Sequence, residues 1–116
     1  MKLRYCTRVD TRFPVIFANE SFVGEGTVVN VSVPGCAISS KKPVRSGSYL
    51  EMKVLLPDAT LPLSVGLARV RWCDGRYFGV EFIRMPGDDQ VRLGRLVRKQ
   101  PQPEARRPSL EQYPYS

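Results

Sequence analysis

Residues Leu61–Ile83 read LPLSVGLARVRWCDGRYFGVEFI, and this stretch decides the fold class. Val65, Leu67 or Ala68, Val70 and Trp72 alternate with Arg69 and Arg71. A period of two belongs to a strand with one buried face. Cys73-Asp74-Gly75-Arg76 then supplies hairpin chemistry, Asp-Gly being a strong turn signal. Tyr77 to Ile83 is β-prone again, so the stretch predicts two antiparallel strands. Working outward, Tyr49 to Leu56 alternates as well: Leu50, Met52, Val54 and Leu56 oppose Glu51, Lys53 and Leu55, and Pro57-Asp58 turns the chain. Further upstream, Phe13–Phe17, Gly24–Val31 and Cys36-Ala37-Ile38 read as short strands, with Pro14 suggesting an edge or a strand start. Pro43 to Gly47 is turn chemistry. Several short strands divided by turn signals predict an all-β barrel or sandwich.

Beyond the strands the pattern changes. Pro86-Gly87-Asp88-Asp89 opens a helix with acids at its positive end. Val91, Leu93, Leu96 and Val97 give an apolar stripe, and Arg95, Arg98 and Lys99 close the last turns. Gly94 weakens the helix, and Pro101 ends it. The expected organisation is a basic N-terminal arm over residues 1–12, a folded unit over 13–99, and a disordered, proline-rich tail over 100–116.

Bulk composition narrows the function. The chain of 116 residues is long enough for one domain with its own core. Three cysteines, Cys6, Cys36 and Cys73, lack CxxC spacing, and there is no histidine, so a zinc site is not expected. A reducing, cytoplasmic compartment fits better than a disulfide framework. No signal peptide or membrane span is expected at the N-terminus. The net charge of +7 is concentrated in residues 1–12 and 84–99. If those segments are neighbours in space, they form an anion-binding surface.

Two short patterns carry chemistry. Arg4-Tyr5-Cys6-Thr7-Arg8 is RxxxR, and Asn30-Val31-Ser32-Val33-Pro34-Gly35 is NxSxxG. An arginine fork matches the adjacent O6 and N7 acceptors of guanine, or grips phosphate. In an extended segment Asn30 and Ser32 leave one face together, and their oxygens can meet guanine donors. Gly35 permits a tight turn, or close approach of a ligand or another strand. Each pattern alone is weak: RxxxR recurs at Arg8 to Arg12, and NxSxxG by itself is an ordinary turn.

Together and in this order, the two patterns resemble the cyclic-di-GMP-binding signature of the PilZ family. Val70-Arg71-Trp72 and Tyr77-Phe78-Gly79-Val80-Glu81-Phe82 follow, the latter similar to the Gly-hydrophobic-x-Phe strand that closes PilZ barrels. The resemblance covers residues 4 to 98 and implies a six-stranded antiparallel β-barrel with a C-terminal helix. It implies a bacterial cytoplasmic receptor for cyclic-di-GMP that needs no cofactor and acts on an unidentified effector protein. Arg4 and Arg8 match the motif arginines, with Arg12 a less favoured substitute, and Asn30, Ser32 and Gly35 match the second motif. Trp72 falls where the family often has an aromatic at the barrel edge; it either packs on a guanine or fills the barrel, and core packing is the expectation. An arginine directly before RxxxR accompanies paired nucleotides in the family. Leu3 occupies that position here, which favours one nucleotide per chain, while Arg12 and the basic helix leave enough positive charge for a pair.

Other functions fit less well. Without histidine, a P-loop or a nucleophile elbow, an enzyme is not expected. A small basic barrel binding RNA or DNA is the alternative, with Tyr49, Trp72, Tyr77 and Phe78 as a stacking platform. A degenerate PilZ domain used only for protein docking is a third, against which the intact arginines and Asn-x-Ser argue.

Overall fold

The computed structural model describes residues 8–57 and 60–99. The expectations for Arg4, for Leu3 and for the tail over 100–116 fall outside the described residues. Six strands, β1 (Val9–Ala18), β2 (Val23–Val31), β3 (Gly35–Ser39), β4 (Tyr49–Val54), β5 (Leu63–Asp74) and β6 (Tyr77–Arg84), precede one helix, α1 (Gly87–Lys99). They close into a barrel in the order β1-β2-β3-β6-β5-β4, and every pairing is antiparallel.

Period-two patterning makes the barrel. In β4 the exposed Tyr49, Glu51 and Lys53 alternate with the buried Leu50, Met52 and Val54. Phe17, Ile38, Leu50, Met52 and Leu63 are the largest side chains wholly inside. Burying each contributes about 1.5–3 kcal/mol. The ring of Phe17 meets that of Phe78 edge-on at 5.3 Å, bridging opposite walls. The helix plugs the barrel with Leu93 and Val97, whereas Val91, expected in the same stripe, is exposed. Arg92 ties the helix down: its guanidinium donates to the carbonyls of Leu61 and Pro62 at 2.6 and 3.0 Å and to Asp89 at 3.0 Å.

Two details differ from the sequence reading. The first strand begins at Val9 rather than Phe13, so Asp10 to Arg12 belongs to the barrel wall. At the β5–β6 hairpin Asp74 pairs with Tyr77, which makes Gly75-Arg76 the two-residue loop in place of Asp74-Gly75. Gly75 has φ +63°, and among the described residues no non-glycine has positive φ. A positive φ at the first loop position alone is the type II′ pattern, which glycine serves best.

Candidate functional site

Three β-bulges gather where β1, β2 and β5 run past the Ser32–Gly35 turn. The register slips between Asp10 and Phe13, between Val28 and Asn30, and between Val70 and Trp72. A bulge inserts an unpaired residue and re-aims the side chains after it. The third slip decides the site. Val70 pairs with Val80 and Trp72 with the adjacent Gly79, which leaves Arg71 as the extra residue.

Trp72 is therefore turned outward. Its indole is 46 % exposed, which corrects the expectation that it fills the barrel. It sits over Gly79, where an added Cβ would collide with the ring nitrogen and with Cζ2. With Arg8, Ser32, Pro34, Gly35 and Arg71, Trp72 lines an open depression of about 330 Å³. Arg8, Ser32 and Gly35 bring both sequence patterns to it, and Arg8 Nη1 donates to Asn30 Oδ1 at 3.1 Å, although Asn30 itself does not line the depression.

The second pattern is first of all a turn. Ser32 N–H donates to the Gly35 carbonyl at 2.8 Å, and Gly35 N–H donates back to Ser32 at 3.3 Å. The buried Ser32 hydroxyl donates to the same Gly35 carbonyl at 3.2 Å, which leaves its lone pairs to accept from a ligand. Gly35 does not have positive φ, so backbone freedom is not what the turn takes from it. A Cβ at Gly35 would run into the Val80 carbonyl, so the glycine lets β6 approach β3.

The electrostatics of the depression come from three side chains. Arg8 and Arg71 are cationic, and Glu81 is the anion among the described lining residues. Arg71 Nη1 contacts Glu81 Oε1 at 3.1 Å, with about half of each side chain exposed. Sequence reasoning gave no role to this pair; cross-strand register puts Glu81 opposite Arg69, and only the bulge brings Arg71 to it. Arg12 is exposed on β1 and does not line the depression. Neither does any helix arginine, so the basic end of the fold and Arg8 do not share this surface. Cys36 lies against the depression from inside the wall, and burial pushes its thiol up to about 12, so it stays protonated and a poor nucleophile. Among the described residues no group of three acids or cysteines could hold a metal, and no helix is long and apolar enough to cross a membrane.

Comparison with known proteins fits this geometry. The PilZ domain profile matches residues 2–99. The structure of the Bacillus subtilis inhibitor of motility (MotI/DgrA) superposes with TM-score 0.69 at 21 % identity, over 85 % of this chain and 51 % of that one. This chain thus spans about half the length of that protein. The PilZ domain of CeSA from a cellulose-synthesising bacterium superposes with TM-score 0.61 at 19 % identity, over 78 % of this chain and 93 % of that one. At these identities the structures speak for the fold. No curated protein sequence matches the chain.

Proposed function

The chain belongs to the PilZ domain family, and from that premise we propose that it is a receptor for cyclic-di-GMP and an adaptor rather than an enzyme. The observation that carries this reading is the Arg8–Asn30 contact, which joins the two motifs beside a depression that Arg8, Ser32 and Gly35 line. Arg8 is placed to grip a phosphate or the O6/N7 edge of guanine. Asn30, whose Oδ1 is held by Arg8, keeps its amide nitrogen for the base. Ser32 accepts from a guanine N–H while its own proton fixes the turn. The exposed indole of Trp72 offers a stacking face, worth about 1–3 kcal/mol per base in comparable sites.

Arg4 completes the clamp in this reading, carried by an arm that orders over the nucleotide and creates the surface an effector protein reads. One nucleotide binds per chain, because Leu3 offers no third fork. The compartment is the cytoplasm, where the free thiols of Cys36 and Cys73 persist. The nucleic-acid alternative has less support: Tyr49, Trp72 and Tyr77 are exposed, but Phe78 is buried in the core.

Calorimetric titration with cyclic-di-GMP, and separately with a single-stranded RNA, tests the reading. Arg8→Ala should cost about 2–5 kcal/mol of affinity with the fold intact, as for a desolvated charge contact. Wild-type-like affinity in that variant removes the clamp, and saturable RNA binding without nucleotide binding favours the alternative.

A further inference from the structure

A second charged surface lies outside the depression, where the segment after β3 meets the β5–β6 hairpin. Two adjoining concavities of about 380 and 580 Å³ share Ser40, Lys41, Lys42, Pro43 and Arg76. Lys41, Lys42 and Arg76 are exposed, and Glu25, in the larger concavity, is the one acid among the described lining residues. The lining therefore sets three cations against one carboxylate. Arg71 and Arg92 each pair with an acid, but among the described residues none of these three cations does, not even with Glu25.

The cations sit on a fastened frame. The Ser40 hydroxyl donates to the Glu25 carbonyl at 2.6 Å and accepts from Lys42 N–H at 3.0 Å, and Ser40 N–H donates to the Arg76 carbonyl at 2.9 Å. One buried serine thus joins β2, the lysine segment and the hairpin. The Cys73 thiol ties β5 to the Val44 carbonyl at 3.4 Å. Lys42 Nζ stands 5.0 Å from the centre of the Phe22 ring, which orients its stem. Pro43, Val44 and the half-exposed Tyr77 give the smaller concavity an apolar side, and the Tyr77 hydroxyl can donate to an acceptor.

Three unpaired cations attract an anionic partner. A small anion needs a polar group held inside the site to orient it, and the Ser40 hydroxyl is already spent on the frame. A nucleic-acid strand gains affinity with each phosphate neutralised, but Glu25 and the exposed Asp74, paired with Tyr77, interrupt the basic surface. An acidic polypeptide can set single carboxylates against single cations. We propose that this surface docks an acidic segment of a partner protein, with its carboxylates on Lys41, Lys42 and Arg76 and an apolar side chain against Pro43 and Tyr77. Register puts the surface beside the nucleotide: Gly79 pairs with Ala37 at the depression, and two residues along, Tyr77 pairs with Ser39 here. The proposal deepens the adaptor reading by naming the chemistry of the effector, and the surface exists without the N-terminal arm.

The test uses the full chain, isotope-labelled and free of nucleotide. The probes are a short peptide of glutamate and aspartate carrying one leucine, its glutamine–asparagine counterpart, and a single-stranded RNA. The acidic peptide should bind saturably and shift the amide signals of Ser40 to Val44 and Gly75 to Tyr77, and the uncharged peptide should not. Lys41→Glu with Arg76→Glu should weaken acidic-peptide binding by roughly 10-fold or more. Arg95→Glu with Arg98→Glu makes the same change in net charge on the exposed side of α1 and should weaken it by less than roughly 2-fold. Absence of saturable binding, shifts centred elsewhere, or equal losses in the two variants overturn the proposal. Tighter RNA binding at the same amides overturns it in favour of nucleic acid. A dimer seen by sedimentation and lost in Lys41→Glu with Arg76→Glu overturns it in favour of a second copy. Calorimetry with cyclic-di-GMP is read separately: a chain that docks the acidic peptide here but binds no nucleotide keeps the docking and loses the receptor reading, and the converse result does the opposite.

Discussion

The two halves of β5 follow different rules. From Leu63 to Val70 the strand buries Leu63, Val65, Ala68 and Val70 and holds the barrel together. From Arg71 to Asp74 every side chain is exposed. The slip that leaves Arg71 unpaired lies at their boundary and re-aims Trp72 outward. The inward half, which carries its own register slip between Val65 and Ala68, makes the fold. The exposed half puts Trp72 and Arg71 at the rim of a depression. Stability and recognition are thereby divided along one strand, and substitutions in the two halves should act on different observables.

The largest effect should come from the buried half. Leu63→Ala removes a wholly buried side chain and should cost about 2–5 kcal/mol of stability. Urea denaturation reads that loss, and nucleotide affinity of the remaining folded protein should be unchanged. The division fails if affinity falls in step with stability.

The exposed half should behave in reverse. Trp72→Ala should cost under about 2 kcal/mol of stability, against about 3–5 for a buried aromatic, because its indole is half in solvent. Cyclic-di-GMP affinity should fall by about 1–3 kcal/mol. A large stability loss without loss of affinity would return Trp72 to the structural class.

The same strand shows what the sequence disclosed. Val70 against Arg69 and Arg71, and the Leu50–Met52–Val54 series, are read from periodicity because burial of one face is a local property of an extended chain. Barrel closure came from the family resemblance, since alternation does not distinguish a barrel from a sandwich. Bulges were illegible. Arg71-Trp72 carries no glycine or proline to mark an extra residue, and the pairing of Trp72 with Gly79 is settled by the partner strand. The hairpin loop shifted by one residue for a related reason, because the Asp74–Tyr77 pairing and not the Asp-Gly dipeptide sets which two residues turn. In the site, Arg8 and Asn30 were legible as motif members and do meet, whereas Arg12 shared the spacing without sharing the surface. The Arg71–Glu81 pair depends on the bulge and was invisible for the same reason as the outward tryptophan.

Cysteines sharpen the contrast between wall and rim. Cys36 is buried and Cys73 is exposed. The Cys36 thiol is pushed by burial from about 9 in the unfolded chain to about 12. Below about pH 9 both states hold the proton and its contribution is fully present. Above that the unfolded chain binds fewer protons than the folded one, so stability falls as pH rises from about 9 to 12, by about 1.4 kcal/mol per pH unit. Denaturation of wild type and Cys36→Ala at pH 8 and pH 10 isolates this slope. If both lose stability equally, Cys36 is not its source.

The smallest effect should come from the Arg71–Glu81 pair, which the bulge creates but solvent weakens. The contact is single, at 3.1 Å, and about half of each side chain is exposed. Exposed pairs of this kind are worth about 0.2–1 kcal/mol, so Glu81→Gln should leave the unfolding midpoint nearly unmoved. Its effect on binding has the opposite sign from every other variant at the depression. Removing the carboxylate raises the local charge carried by Arg8 and Arg71, which should strengthen binding of an anionic nucleotide. The gain should shrink as salt is raised from 50 to 500 mM, because screening acts most strongly on exposed charges. Calorimetry of Glu81→Gln at the two salt concentrations reads both sign and screening. Weaker binding at low salt would mean that Glu81 serves to hold Arg71 in place for the ligand, and the rim would then be as organised as the wall.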